Sequence, residues 1–154
     1  MNLNPKRILV IQLKRAGDII VTVPVLPALQ AALPAAKIDF LAISSFSNKS
    51  GAPGLVRIAK DLDDSIEGED VLLIEDIVDT GLTLRYLLQT LASRGPNSLA
   101  VCTFLDRNSR RIVQVPVEYR CFEIPDHFVI GFGLDYNQLY RNLNYVAVLK
   151  PERE

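Results

Sequence analysis

Short aliphatic runs alternate with polar turns along most of the chain. Four of them are rich in β-branched residues and short enough to be strands buried on both faces of a parallel sheet. They are RILVIQL (residues 7–13), KIDFLAIS (37–44), DVLLIED (70–76) and SLAVCTFLD (98–106). A fifth run, LVRIAKDL (55–62), also predicts a strand.

Two segments between these runs place apolar residues at helical spacing. The first carries Leu26, Leu29 and Leu33, with Pro24 suited to an early helical turn and Pro34 to its end. The second carries leucines at i, i+3, i+4 and i+7, and Gly95-Pro96 closes it. These leucines are Leu84, Leu87, Leu88 and Leu91.

The last third of the chain predicts only short strands, in PVEYRCFEI (116–124), FVIGFGL (128–134) and NYVAVL (144–149). Strands therefore alternate with helices first, and short strands follow. The pattern predicts an α/β fold, a Rossmann-like parallel sheet flanked by helices, with a small irregular appendage.

Composition fits one soluble domain. The chain has 154 residues, of which 49% are hydrophobic and 23% charged, and its net charge is −1. A net charge so close to zero does not attract nucleic acid or an anionic membrane electrostatically. The apolar stretch 19–33 is too short and too interrupted by proline to span a bilayer or to act as a signal, so we expect a cytoplasmic protein.

The chain has few cysteines and histidines that could act as nucleophiles or metal ligands. Cys102 and Cys121 lie far apart in the sequence, in apolar surroundings, and predict two buried reduced thiols. His127 is the one histidine, which leaves little for a triad or a multi-histidine metal site.

Candidate chemistry concentrates at the end of the third strong strand. Glu75 and Asp76 stand where ligands bind in an open parallel sheet, and Asp79 follows three residues later. The turn from Thr80 to Thr83 then leads into a helix, whose first backbone amides form an anion site. A ligand carrying both a phosphate and vicinal hydroxyls, with a hard cation nearby, would satisfy acids and amides together. The alternative is a solvated acidic turn that only caps the helix.

The stretch VLLIEDIVDTGLT (71–83) resembles the phosphoribosyl-pyrophosphate (PRPP) motif of the type I phosphoribosyltransferases. The similarity runs from about residue 38 to 151, and EIPDHFVIGFGLDY (123–136) and YRNLNYVAVLKPE (140–152) place it near the hypoxanthine-guanine enzymes. The resemblance implies transfer of phosphoribose from PRPP to hypoxanthine or guanine, with release of pyrophosphate and with Mg²⁺ as cofactor.

The resemblance also implies roles for the strand end. Glu75 and Asp76 would hold the ribose hydroxyls directly or through metal, and Asp79 would be the general base. The 5′-phosphate cradle would comprise Asp79, Thr80, Gly81, Leu82 and Thr83.

Other roles fall on later motifs. Phe128 would stack on the purine, although an aromatic is more often a core residue, and the Val129 backbone would read the base edge. Asp135 would contact metal, and Arg141, otherwise an ordinary surface charge, would bind pyrophosphate. Arg107 stands where the family has a base-reading lysine, and its planar fork is bulkier than an ammonium group.

Two loops depart from the family pattern. Residues 44–54 resemble its mobile lid, but Phe46 stands where a tyrosine is usual, so the ring is kept and the hydroxyl lost. In LKRAG (13–17), Lys14 matches a pyrophosphate-loop lysine, while Arg15 replaces the loop's glycine.

The first forty residues instead resemble the opening βαβ unit of the family 9 glycosyltransferases. Gly17-Asp18 of this chain is part of that resemblance. Heptosyl transfer is not expected, because the sugar-nucleotide half is missing. We therefore expect one domain with a reduced hood, a chimera of residues 1–40 and a phosphoribosyltransferase core at 41–154. Alternatives are a folded scaffold that binds nucleotide without turnover and a regulatory sensor. The resemblance implies a homodimer or homotetramer.

Overall fold

The computed structural model of the protein describes residues 7–12, 25–46 and 55–150. Its strands are β1 (Arg7–Gln12), β2 (Lys37–Phe46), β3 (Leu55–Lys60), β4 (Asp70–Val78), β5 (Ser98–Asp106), β6 (Tyr119–Glu123), β7 (Val129–Ile130) and β8 (Ala147–Val148). Its helices are α1 (Val25–Ala32) and α2 (Leu82–Ala92), and a 3₁₀ turn spans Asn108–Arg110.

Six strands form one sheet in the order β3-β2-β1-β4-β5-β6. Every pairing in it is parallel except β2 with β3. The chain order reverses between β1 and β4, which makes the carboxyl end of β4 the place where a crevice opens in such a sheet. The remaining strands, β7 and β8, pair antiparallel in a separate small sheet.

The core lies between α2 and one face of the sheet. Leu84, Leu87 and Leu91 of the helix are at most 3% exposed and join the buried cluster that includes Val71 and Leu73. Each fully buried leucine contributes about 1.5–3 kcal/mol. This packing fixes α2 against the sheet, and with it the turn that connects β4 to α2.

The predicted α/β fold with a mainly parallel sheet is confirmed, with local differences. The strand predicted over 55–62 pairs antiparallel with β2, because a short connection cannot supply a parallel crossover. Strand β2 extends to Phe46, so the first residues of the predicted lid belong to a strand by their backbone pairing. Lys14, Gly17-Asp18 and lid residues 47–54 lie outside the described residues.

The prediction of two buried cysteines is wrong for Cys121. Cys121 is exposed on the edge strand β6, Cys102 is half-buried on β5, and both are free thiols. Burial, together with the neighbouring Cys121, raises the pKa of the Cys102 thiol to about 11. Among the described residues, no helix is long and apolar enough to cross a membrane.

Candidate active site

The carboxyl end of β4 carries a buried, unpaired acid. Glu75 is 2% exposed, and neither of its carboxyl oxygens has a hydrogen-bond partner within the described residues. Desolvation, with a smaller contribution from the Asp76 charge, raises the pKa of Glu75 well above its ordinary value. A buried acid with so strongly shifted a pKa is typical of a ligand site.

The turn after β4 brings the backbone into a tight cradle. Gly81 adopts a left-handed conformation, with φ of 84°, immediately before α2 begins at Leu82. The first amides of a helix have no intrahelical acceptors, and α2 has no acidic residue in its first turn to occupy them. The Thr80 carbonyl accepts hydrogen bonds from Ile112 N (2.9 Å) and Val113 N (3.1 Å), which tie the turn to the segment after β5.

Asp79 faces a buried arginine at the end of the neighbouring strand. Arg107 Nη1 donates to Asp79 Oδ2 at 3.3 Å, and the Arg107 side chain is 7% exposed. The other carboxyl oxygen, Asp79 Oδ1, is buried and lacks a hydrogen-bond partner among the described residues. One oxygen of Asp79 is thus held in place, and the second is available to a ligand.

The C-terminal segment closes the opposite side of the same cavity. Arg141 Nη1 donates to the Gly133 carbonyl at 2.6 Å, and Arg141 Nη2 lies 3.0 Å from Asp135 Oδ1. Phe128 is 49% exposed and contacts Tyr136 edge to face, with ring centroids 5.6 Å apart. Its neighbour Val129 is buried in the β7–β8 pair.

These groups surround one cavity of about 240 Å³. The predicted site residues that line it are Glu75, Asp76, Asp79, Thr80, Gly81, Thr83, Arg107, Phe128, Val129, Asp135 and Arg141. Leu82 does not line the cavity, and its side chain is 47% exposed. The cavity thus joins residues separated by more than sixty positions in the sequence.

Six lining residues were absent from the sequence prediction: Ile43, Ile77, Val78, Leu84, Gly133 and Leu134. Ile43 and Leu84 follow ordinary apolar patterns, so no signal marked them. Gly133 has a φ of 86°, a conformation that favours glycine, and the closely spaced glycines of GFG (131–133) were the available signal.

Comparison with known families decides the assignment. The family model described as phosphoribosyl transferase domain matches residues 12–137. The chain belongs to the phosphoribosyl transferase family. The chain adopts the type I phosphoribosyltransferase fold, with a mainly parallel sheet flanked by helices.

Two relatives illustrate the similarity of this phosphoribosyl transferase domain. Hypoxanthine-guanine phosphoribosyltransferase of Mycobacterium avium is 49% identical over 113 residues, which are 73% of this chain and 56% of that protein. The Bacillus subtilis (strain 168) protein of the same name is 48% identical over 115 residues, which are 75% of this chain and 64% of that protein. The chain therefore spans 56–64% of the length of these curated relatives.

Solved structures extend the likeness over nearly the whole chain. A hypoxanthine phosphoribosyltransferase from Staphylococcus aureus superposes with a TM-score of 0.80 at 40% identity, covering 96% of this chain and 78% of that one. The Trypanosoma cruzi enzyme in complex with the product IMP superposes with a TM-score of 0.80 at 37% identity, covering 95% of this chain and 76% of that one.

Proposed function

We propose that this phosphoribosyl transferase domain joins hypoxanthine or guanine to the ribose of PRPP and releases pyrophosphate. The observation that carries the proposal is one cavity where the turn after β4, the acids Glu75 and Asp76, the aromatic ring of Phe128 and two arginines meet. The named activity of its relatives supports the same reaction.

The cradle and the acids would divide the sugar phosphate between them. The backbone amides at the start of α2 suit a 5′-phosphate, because a helix N-terminus attracts anions. Gly81, in a left-handed conformation just before the helix, has no side chain to cover them. Glu75 and Asp76 at the strand end would accept hydrogen bonds from the two ribose hydroxyls. A diol supplies donors to Glu75 oxygens that otherwise have none in the described part of the chain.

Asp79 would take the proton that the base loses. As the purine nitrogen bonds to the ribose C1′, the bond from C1′ to the pyrophosphate oxygen breaks, and the leaving group departs with its electron pair. Asp79 Oδ1, buried and unpartnered among the described residues, would accept the proton from the purine N7 side, while Arg107 holds Oδ2.

Base recognition would use three neighbouring groups. Phe128, half exposed above the cavity, would stack on the purine, and the Val129 backbone would read its edge. Arg107 would donate to the purine 6-oxygen from its remaining N–H groups, one of which, Nε, has no partner within the described residues. Its fixed fork would favour 6-oxopurines over bases without that acceptor.

Mg²⁺ fits the donors of this cavity as a partly hydrated ion. No group of three or more metal-ligating side chains occurs within the described residues. Mg²⁺ commonly binds one or two carboxylates together with waters and substrate phosphates, so the Asp135 carboxylate and the strand-end acids Glu75 and Asp76 are suitable ligands. When bound, the ion would neutralise charge on the pyrophosphate, while Arg141 would contact that group directly.

The first forty residues carry a second proposal, that they derive from a glycosyltransferase-like βαβ unit joined to a core at 41–154. The curated matches above cover about three quarters of the chain, whereas the family model begins at residue 12 and the solved structures cover 95–96% of the chain. A crystal structure of the whole chain tests this. If residues 7–33 superpose on phosphoribosyltransferases without a shift, a second origin is unnecessary.

We also propose that the protein acts in the cytoplasm as a homodimer or homotetramer. Exposed apolar residues such as Phe122 on the edge strand β6 would favour subunit pairing. Light scattering of the purified chain measures the subunit number, and a strictly monomeric protein would contradict the proposal.

Turnover is tested by mixing PRPP and Mg²⁺ with hypoxanthine, guanine or xanthine and measuring the nucleotide formed. We expect IMP or GMP from the first two bases, and a loss of about 10²–10⁴ in kcat for Asp79→Asn. Asp63→Asn, an exposed carboxylate distant from the cavity, is the matched control.

Equal rates for wild type and Asp79→Asn would remove Asp79 from the mechanism. If IMP raises the melting temperature (Tm) but no base gives product, the protein is a nucleotide-binding scaffold without turnover instead.

A further inference from the structure

A buried ion cluster lies behind the phosphate cradle. Asp106, the last residue of β5, is 1% exposed, and the side chain of Arg111 is 4% exposed. Arg111 Nη2 donates to Asp106 Oδ1, and Arg120 Nε of the edge strand lies 2.6 Å from Asp106 Oδ2. None of these residues lines the described cavity, and none stood out in the sequence.

The segment that begins with Arg111 touches the cradle from its outer side. A Cβ placed on Gly81 would clash with the Val113 carbonyl oxygen and lie 3.1 Å from Arg111 Cδ. Together with the two hydrogen bonds from Ile112 and Val113 to the Thr80 carbonyl, these contacts fix both residues at the tip of the turn. The backbone of 111–113 is therefore the support on which Thr80 and Gly81 rest.

Asp106 determines where that support lies. Nε and Nη1 of Arg111 have no hydrogen-bond partner within the described residues, so the alignment of its guanidinium depends on Asp106. Removing one member of such a buried pair leaves an uncompensated charge, which drives the other member to move. Movement of Arg111 would release Ile112 and Val113 from Thr80.

We propose that the Asp106–Arg111 ion pair positions the phosphate cradle, and this rests on the proposed function. The pair acts through the backbone of 111–113 and does not touch substrate. A loosened cradle weakens phosphate binding in the ground state and the transition state alike. Asp106→Asn therefore raises the KM for PRPP about 10- to 100-fold, and kcat and the KM for hypoxanthine change far less.

A binding measurement isolates the phosphate. Titration calorimetry with IMP and with inosine, which lacks the phosphate, gives an affinity ratio for each variant. Asp106→Asn lowers the IMP affinity at least about tenfold and leaves the inosine affinity unchanged. The matched control is Asp61→Asn, which breaks the exposed Arg94–Asp61 pair at the opposite end of α2 and leaves the ratio at its wild-type value.

A double variant separates positioning from stability. Asp106→Asn with Arg111→Met removes both buried charges and keeps the aliphatic stem beside Gly81, a change that buried ion pairs often tolerate. The double variant folds, yet its IMP-to-inosine ratio falls about as far as that of Asp106→Asn alone, since both lose the same contact. Arg111→Lys, which keeps the charge without the fork, gives an intermediate ratio.

Wild-type ratios in folded Asp106→Asn and in the double variant would overturn the positioning role and leave the proposed function intact. A wild-type protein that binds neither IMP nor inosine would overturn the proposed function itself, and the positioning role with it.

Discussion

At the scale of single residues, the buried carboxyl of Glu75 is expected to lower the stability of the folded protein at neutral pH. Its side chain is buried, its oxygens lack partners in the described part of the chain, and desolvation holds its pKa well above the ordinary range. As pH rises from about 4.5 through the raised pKa, the unfolded chain releases a proton that the folded chain retains. Stability therefore falls across that window, because the folded state binds more protons than the unfolded state.

Glu75→Gln should stabilise the ligand-free protein at neutral pH. Gln keeps the shape and has no ionisation to resist, so we expect a gain of about 1–3 kcal/mol at pH 7.5 and little difference at pH 4. Thermal unfolding at the two pH values measures it. With IMP and Mg²⁺ added, wild type should become more stable than Glu75→Gln, because the glutamine accepts a hydrogen bond from a ribose hydroxyl less effectively.

The neighbouring half-buried acid provides the control for this prediction, through the variant Asp76→Asn. Asp76 Oδ1 already accepts a hydrogen bond from Ile77 N at 2.6 Å, and its replacement should give no comparable gain. A Glu75→Gln protein less stable than wild type at pH 7.5 would show that the buried carboxyl has a partner essential to the fold.

At the scale of elements, helix α2 fixes the turn after β4 by packing against the sheet. Leu84, Leu87 and Leu91 face the sheet, and a helix packed this firmly fixes the orientation of its own N-terminus. Leu88 also fits the apolar spacing, but it is only partly buried, because the helical stripe turns away from the sheet at that position.

Leu87→Ala should lower the free energy of unfolding by about 2–5 kcal/mol, because it leaves a cavity at a fully buried position. Leu88→Ala, the matched control on the same helix, should cost clearly less. Chemical denaturation of both variants measures the difference. Equal losses would mean that α2 packs in a different rotational orientation.

Elements could be predicted from sequence where local pattern and tertiary packing agree. The leucines of α2 show a clear helical spacing and the aliphatic run of β4 predicts a buried strand, and the acids within and just after the end of β4 mark the site. Two features could not be predicted this way. The direction of β3 depends on the length of its connection to β2, and the exposure of Cys121 depends on the place of β6 at the sheet edge; the residue patterns inside the strands encode neither.

The Asp106–Arg111 pair was hidden for a related reason. Asp106 ends a buried strand, and Arg111 lies within NSRR (108–111), which looks like a solvated turn. Only the 3₁₀ turn folds Arg111 back onto Asp106 and buries both. The roles given to the other cavity residues came from family resemblance and stay predictions, since burial and distance place them together but do not test their chemistry.

At the scale of the whole molecule, strand order assembles the site. Placing β4 between β1 and β5 brings Asp79 beside Arg107, and the C-terminal segment returns over the same edge with Asp135 and Arg141. Three stretches distant in sequence thus meet at the switch point of one sheet. We propose that this meeting point holds a sugar phosphate by its two ends.

A crystal structure of the chain with IMP and Mg²⁺ is the sharpest test of this proposal. We predict the 5′-phosphate within hydrogen-bond distance of the amides between Thr80 and Thr83, the ribose hydroxyls at Glu75 and Asp76, and the purine against Phe128. A nucleotide bound elsewhere, or a cavity filled by the protein's own side chains at saturating IMP, would contradict it.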